Sequence, residues 1–200
     1  MNEQGLNEDQ RDALQEICNV GMGKAAAALA TLLGAFVTLS VPGIRLVSTA
    51  QLPEALRGHG VSQLPPVRQA FQSDISGETI VLFGADGQRE LRQLLDYDLE
   101  NSDAGNEALC DIANLLVGAC VQSVFEQLGR RISFSSPTLL PVTEGSNLGH
   151  FENGRWGLAL LLEIHFTLEK GGFGARMVML LPDEAIRGMK HALDQFLSSI

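Results

Sequence analysis

The stretch Asp12-Ala-Leu-Gln-Glu-Ile-Cys-Asn19 returns 95 residues later as Glu107-Ala-Leu-Cys-Asp-Ile-Ala-Asn114. Ala13/Ala108, Leu14/Leu109, Ile17/Ile112 and Asn19/Asn114 are identical, and at the same offset so are Gly23/Gly118, Leu33/Leu128, Gly34/Gly129, Ser40/Ser135 and Pro42/Pro137. Two similar halves, about 7–100 and 101–200, predict an internally duplicated fold with a pseudo-two-fold relation. Either half alone is short for an independent core, so the 200 residues are expected to form a single domain around a shared one.

Outward from that stretch, Asn7 followed by Gln10 is a capping-box pattern that opens a helix. Leu14, Ile17, Cys18, Gly21, Ala25, Ala28, Leu29 and Leu32 recur at helical spacing as one apolar stripe. Gly34 is the expected C-cap. Residues 36–41 alternate as a strand that Pro42-Gly43 stops. Residues 50–77, with Pro53, Pro65 and Pro66, read as a short helix plus loop, 79–83 as a strand, and 86–96 as a helix capped by Asp86. The second half predicts a long helix over about 104–128 ending at Gly129, a strand at 132–135 and a loop at 144–156. Strands at about 157–168 and 174–181 then flank a turn at Lys170-Gly-Gly, and a helix covers 183–198. Helices followed by strands in each half predict an α+β class, with long helices packed on a mostly antiparallel sheet.

The composition narrows the function. Lys plus Arg total 14 against 24 Asp plus Glu, a formal net charge of −10. That balance disfavours nucleic acid and anionic membranes as partners. The longest uninterrupted apolar run, near 157–162, falls short of a membrane span, and the polar, acidic start does not read as a signal peptide. Three cysteines and four scattered histidines show no metal-ligand spacing, so neither a metal site nor a cofactor is expected. The expected location is the cytoplasm. A chain that already carries two internal copies is expected to work as a monomer.

Each half also holds one polar pattern: acid, three residues, acid, two residues, Asn, 22 residues, Pro. The first copy is Asp12, Glu16, Asn19 and Pro42; the second is Glu107, Asp111, Asn114 and Pro137. At about 100° per residue the two acids lie about 40° apart and the second acid and Asn about 60° apart. All three therefore share a helix face away from the apolar stripe. Such a face is usually only solvated; its presence in both halves favours function. Gly21-Met-Gly23-Lys24 lacks the spacing and the following Ser or Thr of a phosphate loop, so close helix packing is the better reading. Cys18 sits on the apolar stripe and reads as a buried thiol rather than a nucleophile.

The repeated pattern resembles that of the CheC/CheX/FliY family of chemotaxis phosphatases, whose motif is Asp or Ser, x3, Glu, x2, Asn, x22, Pro. Asp12, Glu16, Asn19 and Pro42 match it throughout, and EICNVGMGKAAAAL (16–29) is similar to the family's helix. Glu107 and Asp111 depart from it; Asp111 is one methylene shorter than the family's Glu, which can misplace its carboxylate by about 1 Å. The likeness is greatest to the two-site CheC type. It implies dephosphorylation of a phosphorylated CheY-like receiver in two-component signalling.

An acyl phosphate needs a water placed in line and its charge neutralised, and the receiver brings its own Mg²⁺ and Lys. Resemblance and chemistry together give Asn19 and Asn114 the role of orienting water, since an amide both donates and accepts. They give Glu16 and Asp111 the role of docking to the receiver's Lys. Asp12 and Glu107 line the two docking faces. The competing expectation is a non-catalytic binding module of a chemotaxis or flagellar-switch assembly that holds a receiver or CheD. The predicted helix at 183–198 is its candidate surface if that helix is not core.

Overall fold

The computed structural model describes residues 5–40, 43–48, 50, 51, 54, 64–84, 102–141, 158–169 and 174–199. In chain order these hold α1 (Glu8–Leu33), β1 (Val37–Leu39), β2 (Gly43–Ser48), β3 (Val67–Gln72), β4 (Gly77–Phe83), α2 (Ser102–Gln127), β5 (Ser133–Phe134), β6 (Thr138–Leu139), β7 (Leu158–Leu168), β8 (Gly174–Pro182) and α3 (Asp183–Leu197). The class is α+β with a fully antiparallel sheet, as expected.

The sheet runs β1-β7-β8-β4-β3-β5, with β2 also on β7 and β6 also on β3. Exchanging the halves (β1 for β5, β2 for β6, β3 for β7, β4 for β8) reproduces the same order read backwards. The axis of that exchange falls between two central pairs, Val81↔Met177 and Leu82↔Arg176, because each residue there stands opposite a residue one place from its own 95-residue counterpart. The loop hydrogen bonds follow the same relation. Ala35 N donates to Ala30 O as Arg130 N donates to Phe125 O, each next to a left-handed glycine, Gly34 (φ 60°) or Gly129 (φ 70°). Only glycine takes that backbone conformation without a Cβ penalty, and it ends both long helices.

α1 begins as its sequence predicts. Asn7 Oδ1 accepts from Gln10 N at 2.8 Å, and Asn7 N donates to Gln10 Oε1 at 3.1 Å. Such a cap is worth about 1 kcal/mol. Buried Gln10 also donates through Nε2 to Asp194 Oδ1 at 2.7 Å, which ties α1 to α3. The stripe of α1 faces the core, with two changes: Ala28 is half-buried, and Leu32 is exposed while Leu33 and Met22 are buried in the apolar contact. α3 is core, since Ile186, Met189, Ala192 and Leu193 are all buried.

α1 and α2 pack antiparallel. Gln127 Nε2 donates to Ile17 O at 2.9 Å, and four residues on in α1 a Cβ added to Gly21 would stand 2.8 Å from Cys120 O. Gly21 is therefore the close-packing glycine, whereas nothing lies within 4 Å of a Cβ at Gly23 or Gly118. By length and composition α2 could cross a membrane, but 61% of that stretch is buried inside the fold.

Three strands differ from the sequence reading. β2 starts at Gly43, where a stop was expected, β3 occupies 67–72 within the expected loop, and β6 at Thr138–Leu139 falls where no strand was expected. The expected helix at 86–96, the loop at 144–156, the turn at 170–172 and Pro42 lie outside the described residues.

On the sheet face away from the helices, Glu163 joins two arginines and a histidine: Arg45 Nη2 at 3.0 Å, Arg176 Nη1 at 3.0 Å and His165 Nε2 at 3.1 Å. Burial pushes the Glu163 carboxyl up, and the charges of Arg176, His165 and Arg45 more than reverse this and hold it below its usual range. A depressed carboxylate contributes stability that is fully present above the unfolded glutamate value near about 4.3 and is lost as pH falls through the folded value. Glu163→Gln should therefore cost about 1–3 kcal/mol at neutral pH by removing the negative charge that Arg176 and Arg45 pair with. That deficit should shrink on acidification below pH about 4. Urea unfolding of both proteins across pH 3–7 measures it; a constant difference over that range contradicts the assignment.

Candidate functional site

The site residues take their places from the helix register. Ala13, Leu14, Ile17 and Cys18 are buried, so the residues on the other side of the same two turns, Asp12, Glu16 and Asn19, face solvent, and all three are exposed. The second half repeats this: Ala108, Leu109, Ile112 and Ala113 are buried, while Glu107, Asp111 and Asn114 are exposed. Each triplet is thus brought together on one helix face. Because the helices are antiparallel, the two triplets sit at opposite ends of the pair. With Ile17 beside Gln127, Asn19 lies level with the C-terminal turns of α2, on the order of 15 Å along the axis from Asn114 at 1.5 Å per residue.

The carboxylates of both triplets stand in water and form no ion pair among the described residues, so they are available to a cation on a partner. Beside the first triplet Val20 is an exposed apolar side chain. Lys24 Nζ lies 3.9 Å from Glu126 Oε2 on α2, an exposed pair of small energetic weight.

The two asparagines differ in their second contacts. Asn114 Oδ1 accepts from Gln69 Nε2 at 2.8 Å, and Gln69 Nε2 also donates to Ser135 O at 2.9 Å. Gln69 lies on β3 among the inward residues Val67 and Phe71 and is 2% exposed. At the 95-residue counterpart of Gln69 stands Ile164, buried and apolar. Asn19 makes no side-chain hydrogen bond among the described residues. Sequence reasoning missed Gln69. Its signal was a polar residue in the apolar register of Val67-Arg-Gln-Ala-Phe71, at a place where the repeat has isoleucine.

Cys18 is not a nucleophile in waiting. It is fully buried, and burial, then the neighbouring Cys120, pushes its thiol well above the usual range; burial alone takes Cys120 up to about 12. A thiol held protonated and out of water does not attack. Among the described residues no group of three or more His, Cys, Asp or Glu side chains comes together as metal ligands do.

Residues 10–45, which contain the first triplet, match the CheC-like family. The chain is 29% identical over 125 residues to the CheY-P phosphatase CheC of Bacillus subtilis (strain 168), covering 58% of this chain and 58% of that protein. It is 26% identical over 177 residues to the flagellar motor switch phosphatase FliY of the same organism, covering 83% of this chain and 44% of that one. The chain thus spans 58% and 44% of the lengths of these curated relatives. The fold is that of Thermotoga maritima FliY: the TM-score is 0.69 at 16% identity, over 96% of this chain and 98% of that one.

Proposed function

The chain being CheC-like in sequence over residues 10–45 and FliY-like in fold, we propose that it is a phosphatase acting on the aspartyl phosphate of a CheY-like receiver. The observation that carries this reading is the exposed acid–acid–Asn face formed twice, once on each long helix, over buried apolar neighbours. The chain works as a single domain of two half-repeats, in the cytoplasm, and needs no cofactor of its own because the receiver carries its Mg²⁺.

The chemistry follows from what each group can do. Water attacks the phosphorus, the bond from phosphorus to the acyl oxygen breaks, and inorganic phosphate and the receiver's carboxylate leave. An asparagine cannot take a proton at neutral pH, so Asn19 and Asn114 act by orienting the water. Glu16 and Asp111 cannot approach a phosphoryl anion with profit. They pair with the receiver's Lys and fix the register, and Asp12 and Glu107, one turn earlier on the same faces, extend the acidic docking surface.

The test is the lifetime of a phosphorylated receiver in Mg²⁺ with substoichiometric chain. Multiple turnovers and a lifetime that falls as chain is added are expected. A lifetime that the chain does not change, with binding measurable by titration, overturns the phosphatase reading and leaves a binding module.

A further inference from the structure

We infer that Gln69 is a positioning residue for Asn114, and that it makes the two sites unequal; the inference rests on the phosphatase reading above for its consequence in rate, and on geometry alone for its structural part. Gln69 Nε2 has two hydrogens and uses both, one on Ser135 O and one on Asn114 Oδ1. Ser135 O is a main-chain carbonyl and can only accept, so the atom facing it must be the amide nitrogen of Gln69. That nitrogen, being a donor, in turn requires the oxygen of Asn114 on its side. The orientation of the Asn114 amide is therefore fixed by a backbone atom through one intermediary, with Oδ1 tied to β3 and Nδ2 left as the donor available to a water or a phosphoryl oxygen.

The remaining atom of Gln69 supports this. Gln69 Oε1 is buried and has no hydrogen-bond partner among the described residues. A buried acceptor without a donor is costly, and an apolar residue would avoid the cost, as Ile164 does at the corresponding place in the other half. A glutamine kept there against that cost, with its amide nitrogen saturated, serves the group it holds. Asn114 thus starts in one orientation, whereas Asn19 must lose its side-chain freedom when substrate arrives. Pre-orientation of Asn114 offsets the shorter reach of Asp111.

Gln69→Leu, close in volume and free of the orphaned oxygen, separates the two sites when combined with single asparagine variants. In the Asn19→Ala background, where only the second site works, Gln69→Leu should lower kcat about tenfold with KM within about twofold. In the Asn114→Ala background it should change neither beyond about twofold. Gln69→Glu should also lower kcat in the Asn19→Ala background, because a carboxylate has no hydrogen to give Ser135 O or Asn114 Oδ1 and so cannot hold the asparagine in its place. A loss of equal size in both backgrounds, or no loss in the Asn19→Ala one, overturns the role in rate. The side-chain ¹⁵N–¹H order parameter of Asn114 reads the positioning without any turnover. It should be high in the wild-type chain and drop to that of Asn19 in Gln69→Leu; an unchanged value overturns the positioning itself. Should the wild-type chain fail to dephosphorylate a receiver, the phosphatase reading fails, while the order parameter still decides whether Gln69 holds Asn114.

Discussion

Asn19→Ala/Asn114→Ala should return a phosphorylated receiver to its own rate of hydrolysis, a loss of about a hundredfold, or about 2.7 kcal/mol of barrier lowering. On the proposed function the effect is modest, because a receiver's acyl phosphate is reactive and comes with its own metal and lysine, leaving the chain only a water to orient. Neither substitution should unfold the chain, although Asn114→Ala removes one of the two acceptors of Gln69 Nε2, at a cost of about 1 kcal/mol. Both residues are exposed on helix surfaces where alanine is the better helix former, and Asn19 has no side-chain hydrogen bond to lose among the described residues. Asn114→Ala leaves Gln69 Nε2 with Ser135 O as a remaining acceptor. Receiver binding should persist, since Glu16 and Asp111 remain. Phosphate release and a binding titration on the double variant check both halves of the expectation. Either single variant should keep turnover through its other site.

The largest effect on stability should come from Gly77. It stands opposite Phe71 across β3 and β4, and a Cβ there would lie 2.5 Å from Phe71 Cζ, 2.5 Å from Leu180 O and 3.0 Å from Leu181 Cδ2. The ring of Phe71 cannot move aside cheaply. It is fully buried and packs edge-on against Phe125, with centroids 5.4 Å apart and planes at 61°. Leu180 O is main chain within the central β4–β8 ladder. Overpacking in a well-filled core costs about 1–3 kcal/mol, and two contacts this short on unyielding partners put Gly77→Ala at the upper end. For a chain of this size about 3 kcal/mol lowers Tm by about 6–12 °C. Thermal unfolding followed by circular dichroism measures it; a shift under about 2 °C would mean that the sheet adjusts there.

Much of this was legible in the sequence because it is local. The capping box of Asn7 and Gln10, the terminal glycines Gly34 and Gly129, the solvent face of the triplets and the burial of Cys18 all follow from helical periodicity. The repeat led to the expectation that both helices play the same part; the sheet order reads the same from either half. β2 and β3 escaped because proline and glycine nearby (Pro42-Gly43, Pro65-Pro66) read as breakers. Their pairing partners, on β7 and on β4, β5 and β6, are set by tertiary contact. Gln69 escaped for the same reason: its hydrogen bond to Asn114 crosses 45 residues. The different hydrogen bonding of the two asparagines is likewise a tertiary fact; the triplets by themselves show only the exchanges Asp12/Glu107 and Glu16/Asp111.

Single-turnover hydrolysis of a phosphorylated receiver in H₂¹⁸O tests most directly whether the chain directs water onto phosphorus. The expected result is a rate that rises with chain concentration, one ¹⁸O atom in each inorganic phosphate released, and an unlabelled receiver carboxylate. A rate independent of the chain, or ¹⁸O in the carboxylate, would contradict the account.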